Sequence, residues 1–236
     1  MLLVICAAGC KPATRLRIHF LHGFVPGSEH IFDVRKIALA PTAGKFAAGR
    51  FTVGAIYLPD GRVERYLYVR RLGSVVTGSV ARALAGAGLK PIRLDAIPSD
   101  AKPPAGAEFI LATEIEDVEA NKRFGSEKTV HGQYFTMKSV IRLKFTLTSH
   151  TATVLYQGEM TGIEEEPPAP VGKEVFLPLE TEPAESLSVA MSRAVGALML
   201  QPRLQRLLTL RTAGGPPAQA APTPSPTPGA APNPPA

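Results

Sequence analysis

KSVIRLKFTLTS, residues 138–149, decides how the rest of the chain is read. Ile141, Leu143, Phe145 and Leu147 alternate with Arg142, Lys144, Thr146 and Thr148. A period of two sends successive side chains to opposite faces, so the segment is a strand with one apolar and one wet face. Such a strand belongs to a sheet that packs a core on one side and meets water on the other, the habit of antiparallel sheets. Ser149-His150-Thr151-Ala152 supplies a turn, and residues 153–163 return as the partner strand. Arg142 and Lys144 on the wet face are expected to meet Glu159 across the hairpin or the carboxylates of the strand before it.

Moving towards the N-terminus, residues 108–119 place Phe109, Leu111 and Ile115 on one face and Glu114 and Glu116 on the other. By strict alternation Asp117 points the opposite way. The acidic set Glu114, Glu116, Asp117 and Glu119 therefore reads as a charged outer face, not a cation site. Residues 121–136 are polar, contain Gly125 and Gly132, and form a long loop or the twisted tips of two strands. Earlier strands are expected over residues 34–40, stopped by Pro41, and over 51–58 and 62–70. The turn Pro59-Asp60-Gly61 joins the last two as a hairpin. A short strand or edge follows at 91–94.

Two segments change period. Over residues 72–89, Leu72, Val76, Val80, Ala83 and Leu84 recur at three- and four-residue steps, with Gly86 and Gly88 as a stop. Gly73, Gly78, Ala81 and Ala85 keep that helix slim enough to lie close against a sheet. Over residues 184–208, Leu187, Met191, Ala194, Val195, Leu198 and Met199 trace one apolar face, and Pro202 kinks or restarts the helix. The fold class expected is α+β: a mostly antiparallel sheet with two amphipathic helices packed on one face.

The chain starts with MLLVICAAGC, residues 1–10. An apolar run closes on Ala7-Ala8-Gly9 directly before Cys10, and the chain turns polar at Lys11-Pro12. Small residues suit the groove of a lipoprotein signal peptidase, and the cysteine thiol takes the lipid. A secretory signal has a basic region and about 7–15 apolar residues before its cut. Here no Lys or Arg precedes Cys10 and the apolar run is short. Either the true start lies upstream, or the run is a plain apolar N-terminus and Cys10 an ordinary thiol. The first reading is adopted. Cys10 is then the lipidation site, carrying diacylglycerol and palmitate, and the protein faces the periplasm from a membrane. Lys11, where an Asp would favour the inner membrane, points to the outer one. No later run approaches the ~20 apolar residues of a spanning helix. The domains read as a signal peptide 1–9, a tether 10–32, an α+β domain 33–212 and a disordered Pro/Ala-rich tail 213–236.

Composition narrows the function. The chain has 2 Cys, so with Cys6 in the signal and Cys10 lipidated no thiol is left for a disulfide or a metal. Net charge is +6, yet the cations are scattered, as Arg15/Arg17, Arg70/Arg71 and Lys122/Arg123, so nucleic acid is not an expected partner. Trp is absent, which removes the usual platform for sugars. His19-x-x-His22 has only Glu29, His30 and Asp33 nearby, short of a recognisable metal set. The glycines of residues 72–89 match neither phosphate-loop pattern. Glu164-Glu165-Glu166 runs into Pro167-Pro168 and reads as a solvated strand exit, not an acid/base pair. No catalytic, cofactor or metal residue is assigned, and the chain is read as a non-enzyme. His131 sharing a pocket with a Ser and a Glu would revive a hydrolase.

The order strand, hairpin, helix, strand, long hairpin and closing helix, behind Cys10, resembles small bacterial envelope lipoproteins of the YajG-like kind. More loosely it resembles the auxiliary lipoproteins of ABC-type transporters, the PqiC-like group. Cys10, Ile37-Ala38-Leu39-Ala40-Pro41, the passage from Ala83 to Pro91 and Leu187-Ser188-Val189-Ala190-Met191 carry the likeness. The resemblance spans residues 33 to 208 and implies a non-catalytic accessory or assembly component of an envelope transport complex. Its contacts would be with an envelope protein partner, through the sheet edge and residues 121–136. The alternative is a lipid or lipopolysaccharide binding module, which requires an apolar cavity between helices and sheet. No small-molecule ligand is legible.

Overall fold

The computed structural model describes residues 12–21, 36–98, 102–129, 132–170 and 181–209. The expected signal 1–9, Cys10, His22, His30, His131 and the tail 213–236 lie outside the described residues. The elements are β1 (Ala13–Arg15), β2 (Lys36–Leu39), β3 (Arg50–Tyr57), β4 (Val63–Arg70), α1 (Leu72–Gly86), β5 (Lys90–Arg93), β6 (Phe109–Thr129), β7 (Gly132–Ser149), β8 (Val154–Pro170), α2 (Thr181–Met199) and α3 (Pro202–Thr209).

β6 is the spine of one eight-stranded sheet. Along one edge it pairs with β2 near its start, Ile37 opposite Phe109, and with β3 further on, Ile56 opposite Lys122. Along the other edge it pairs with β7, which pairs with β8. β4 and β1 extend the sheet beyond β3, and β5 extends it beyond β2. The longest pairings, β3–β4, β6–β7 and β7–β8, are antiparallel, while β1–β4, β2–β5, β2–β6 and β3–β6 are parallel. The fold is α+β, and its sheet is mixed. Parallel neighbours need a long crossover. β3, β4 and α1 supply one between β2 and β5.

The alternation in 138–149 does in space what it does on paper. Ile141, Leu143, Phe145 and Leu147 are fully buried, facing Leu187, Met191, Ala194, Val195 and Leu198 of α2 across the core. α1 lies on the same side and adds Val76, Val80 and Leu84 to that core. The buried Ser79 of α1 donates to the Val75 carbonyl at 2.8 Å and lies 3.6 Å from Met191 Sδ. α2 sits directly on the β8 backbone at Gly162: a Cβ there would come within 1.7 Å of the Ala190 carbonyl oxygen. Pro202 restarts the chain as α3, holding a first-turn position where its missing N–H leaves no bond unmade.

The structure corrects two readings, the tether and the face of Asp117. The stretch expected as a tether is folded over residues 12–21. β1 pairs with β4, and Leu16 and Phe20 are buried in the core. The segment then runs along α2. The N–H of His19 donates to Ser188 Oγ at 3.1 Å and that of Leu21 to Ser192 Oγ at 2.9 Å, two hydroxyls one helical turn apart. Of the two forms expected for residues 121–136 the structure has the strand tips: 121–129 belong to β6 and 132–136 to β7, with Phe124 opposite Phe135. A bulge in β6 between Ile115 and Asp117 resets the alternation. Ile115 and Val118 are both buried, so Glu114, Asp117 and Glu119 share the exposed face. Lys122 is buried, with its Nζ 4.0 Å from the centre of the Phe135 ring.

Candidate functional site

The outer face of the sheet has two halves of different character. On β6–β7–β8 the charges are matched by register. Glu114, Lys144 and Glu159 stand in one row across the three strands, and Asp117 stands opposite Arg142. Lys138 and Glu165, also opposite each other, form an ion pair at 3.7 Å.

On β1–β4–β3 they are not matched. Arg50 of β3 stands directly opposite Arg70 of β4, and Arg15 of β1 lies beside Tyr68 of β4. The Tyr68 ring is shared by two guanidiniums, Arg50 at 3.8 Å and Arg70 at 5.9 Å from its centre. Arg17 joins them: with Arg15 and Arg70 it lines a cleft of about 140 Å³. All of these arginines are exposed, and among the described residues none forms an ion pair with a carboxylate. Tyr66, on the same face of β4, is 40% exposed. The inward residues Leu67 and Val69 are buried, which fixes the arginines on the water side. Sequence alone showed these cations as scattered. The signal was in the hairpin count, since Arg50 and Arg70 are each ten residues from Asp60.

This half of the sheet is also where the chain arrives from Cys10. The N–H of Tyr66 donates to the Pro12 carbonyl at 3.1 Å, beside β1. Pro12 follows Cys10 by two residues.

A second, open cleft of about 350 Å³ lies at the start of α1, lined by residues that include Thr42, Ser74, Thr77, Arg93 and Asp95. The hydroxyls of Thr42 and Thr77 are hydrogen-bonded to each other at 2.7 Å. The first amides of α1 are already occupied: Gly73 N–H donates to the Ala47 carbonyl at 2.9 Å and Ser74 N–H to that of Arg71 at 3.1 Å. The lining contains no His or Cys. Of the histidines read from sequence, His19 and His150 are exposed, and among the described residues no three His, Cys, Asp or Glu gather as a metal site. Two groups depart from their usual acidity. A hydrogen bond from the Arg62 backbone holds the Asp60 carboxyl below its ordinary value, and burial pushes the Tyr156 hydroxyl up. Neither lines these clefts.

No protein family and no curated protein matches the chain. Among solved structures it is similar to protein XCC0632 of Xanthomonas campestris, of the DUF330 family, at 10% identity and a TM-score of 0.45, over 83% of this chain and 94% of that one. It is similar to hypothetical protein CT253 of Chlamydia trachomatis at 12% identity and a TM-score of 0.44, over 75% and 98%. Lipoprotein GNA1162 of Neisseria meningitidis matches at 12% identity and a TM-score of 0.34, over 56% and 84%. All three are bacterial proteins, and one is a lipoprotein.

Proposed function

We propose that this chain is a non-catalytic lipoprotein of the bacterial cell envelope, anchored through Cys10 and serving a transport or assembly complex by protein contacts. The observation that carries the reading is the sequence Ala7-Ala8-Gly9-Cys10 set two residues ahead of a folded edge, with Pro12 already bonded to β4. A lipid on Cys10 holds the domain close to the membrane, not at the end of a long leash. The outer membrane, facing the periplasm, is the location proposed.

For protein contacts the fold offers a long edge. β8 is 17 residues long and, among the described residues, pairs only with β7. Apart from the Ile163 carbonyl, which accepts from the Arg193 guanidinium of α2 at 2.6 Å, its outer N–H and C=O groups suit a partner strand. Val154 and Ile163 are 54% and 46% exposed on it. An internal lipid pocket is the weaker reading. The space between α2 and β7 is filled by fully buried side chains, and α2 meets β8 at backbone contact.

The test is fractionation of cells making the chain from its native upstream sequence, next to Cys10→Ser and Ile163→Lys. The account expects the wild type in the membrane fraction and Cys10→Ser released from it. It expects Ile163→Lys to stay membrane-bound while losing the envelope proteins that co-purify with the wild type. Cys10→Ser held in the membrane like the wild type would overturn the anchor.

A further inference from the structure

We infer that the arginine–tyrosine face of β1, β4 and β3 is a second membrane contact, which seats the domain on the anionic headgroups of the bilayer that holds Cys10. The inference rests on the membrane location proposed above, but its evidence is separate. Arg15, Arg50 and Arg70 surround Tyr68 on one exposed face, with Tyr66 beside it, and Arg17 lines a cleft with Arg15 and Arg70.

Stacking of Arg50 and Arg70 on Tyr68 accounts for only part of this set. Like charges directly opposite across a strand pair are unfavourable, and Arg50 faces Arg70. No carboxylate among the described residues neutralises them by an ion pair. The β6–β7–β8 half of the same face shows that this sheet can match its charges by register. An uncompensated patch is what an anionic surface recognises, because guanidinium forks bind phosphate with two parallel hydrogen bonds. Tyrosine, apolar in body and polar at its tip, is the aromatic suited to the headgroup layer.

Position selects the membrane among anionic partners. Arg15 follows Cys10 by five residues. Even fully extended, the chain between them reaches about 18 Å. A lipid on Cys10 thus brings the patch within reach of the headgroup plane. The pairing also has a physical purpose: a di- or triacylated Cys10 holds the chain at the membrane, but a single attachment point leaves the domain free to tilt. The patch contributes sideways as well, since two points of contact fix which face of the domain looks away from the membrane.

Each arginine close to an anionic surface adds about fivefold to membrane partitioning. The experiment is vesicle co-sedimentation of the full chain carrying Cys10→Ser, so that no lipid is attached. The vesicles are phosphatidylcholine alone or phosphatidylcholine with phosphatidylglycerol. Binding is expected only with phosphatidylglycerol and should weaken as salt rises. Adding Arg50→Gln and Arg70→Gln is expected to lower it about twenty-fivefold. Arg142→Gln with Lys144→Gln, the same loss of charge on the other half, is expected to change it less than twofold. Far-UV spectra and melting curves of both double variants separate a lost contact from a lost fold. Equal losses in the two double variants would overturn the inference, leaving only net charge. So would indifference to phosphatidylglycerol, which would hand the patch to an acidic protein. A separate mass measurement on wild-type Cys10 keeps the two readings apart. Lipidated Cys10 without vesicle binding removes the patch and keeps the anchor; vesicle binding with a bare Cys10 does the reverse.

Discussion

The two halves of the outer sheet face are made of the same backbone and spend their charge differently. On β6–β7–β8, acid and base alternate across the strands, Glu114 by Lys144 by Glu159 and Asp117 by Arg142. Each exposed pair is worth about 0–1 kcal/mol, but together they leave little net field. On β1–β4–β3, arginine faces arginine over a tyrosine ring. The first half solves the ordinary problem of keeping a sheet soluble and in register. The second carries an electrostatic cost that the fold does not need, and that cost is where a contact with something outside the protein is to be sought.

The largest effect should come from beneath the balanced half. Gly162→Ala drives a Cβ to within 1.7 Å of the Ala190 carbonyl oxygen, and backbone on both sides must move. We expect a loss of about 4 kcal/mol in urea unfolding. Stability close to wild type would mean that α2 does not anchor this half as described. Next, the unbalanced half is held to α2 through residues 12–21. Ser188→Ala with Ser192→Ala deprives the N–H groups of His19 and Leu21 of their acceptors. A loss of about 2 kcal/mol is expected, with faster amide exchange confined to residues 13–21. Uniform exchange across the sheet would contradict that local role.

A smaller effect tests the comparison itself. Arg50→Thr relieves a like-charge pair and should raise stability by about 0.5 kcal/mol, while Lys144→Thr, taken from a matched row, should lower it by a similar amount. The same sign in both would erase the distinction between the halves. The smallest concerns the turn at the edge of the unbalanced half. Asp60 accepts from the Arg62 backbone at 2.9 Å and ion-pairs with its side chain. Its carboxyl is held below the ordinary value of 3.8. A group depressed in the folded state contributes stability that is present above its unfolded value and fades as pH falls through the folded one. Asp60→Asn should remove that slight acid sensitivity, read as a flatter melting temperature below pH 4; an unchanged slope would contradict it.

These elements also show what a sequence reveals. Residues 138–149 and the helix from Leu72 are written in local periods, and the structure follows them. A bulge is different: it is set by how two strands pair, and nothing in Glu114-Ile115-Glu116-Asp117 says which residue the partner will skip. Alternation therefore put Asp117 on the wrong face. The misread tether had a visible signal, since Leu16, Ile18 and Phe20 alternate with Arg15, Arg17 and His19. Three histidines and neighbouring glycines and prolines obscured it. The arginine patch was the least legible feature. Its members come from three strands and the residues just after β1, and only the register of β3 on β4 and β1 on β4 brings them together. Lys122 is buried through the reset that the bulge imposes.

The account stands on Cys10. The most direct measurement is the intact mass of the chain purified from membranes after expression from its native upstream sequence. The account predicts a chain that begins at Cys10 and carries a diacyl- or triacylglyceryl increment, localised to Cys10 by fragmentation. A chain of uncut mass with a free Cys10 thiol would contradict it.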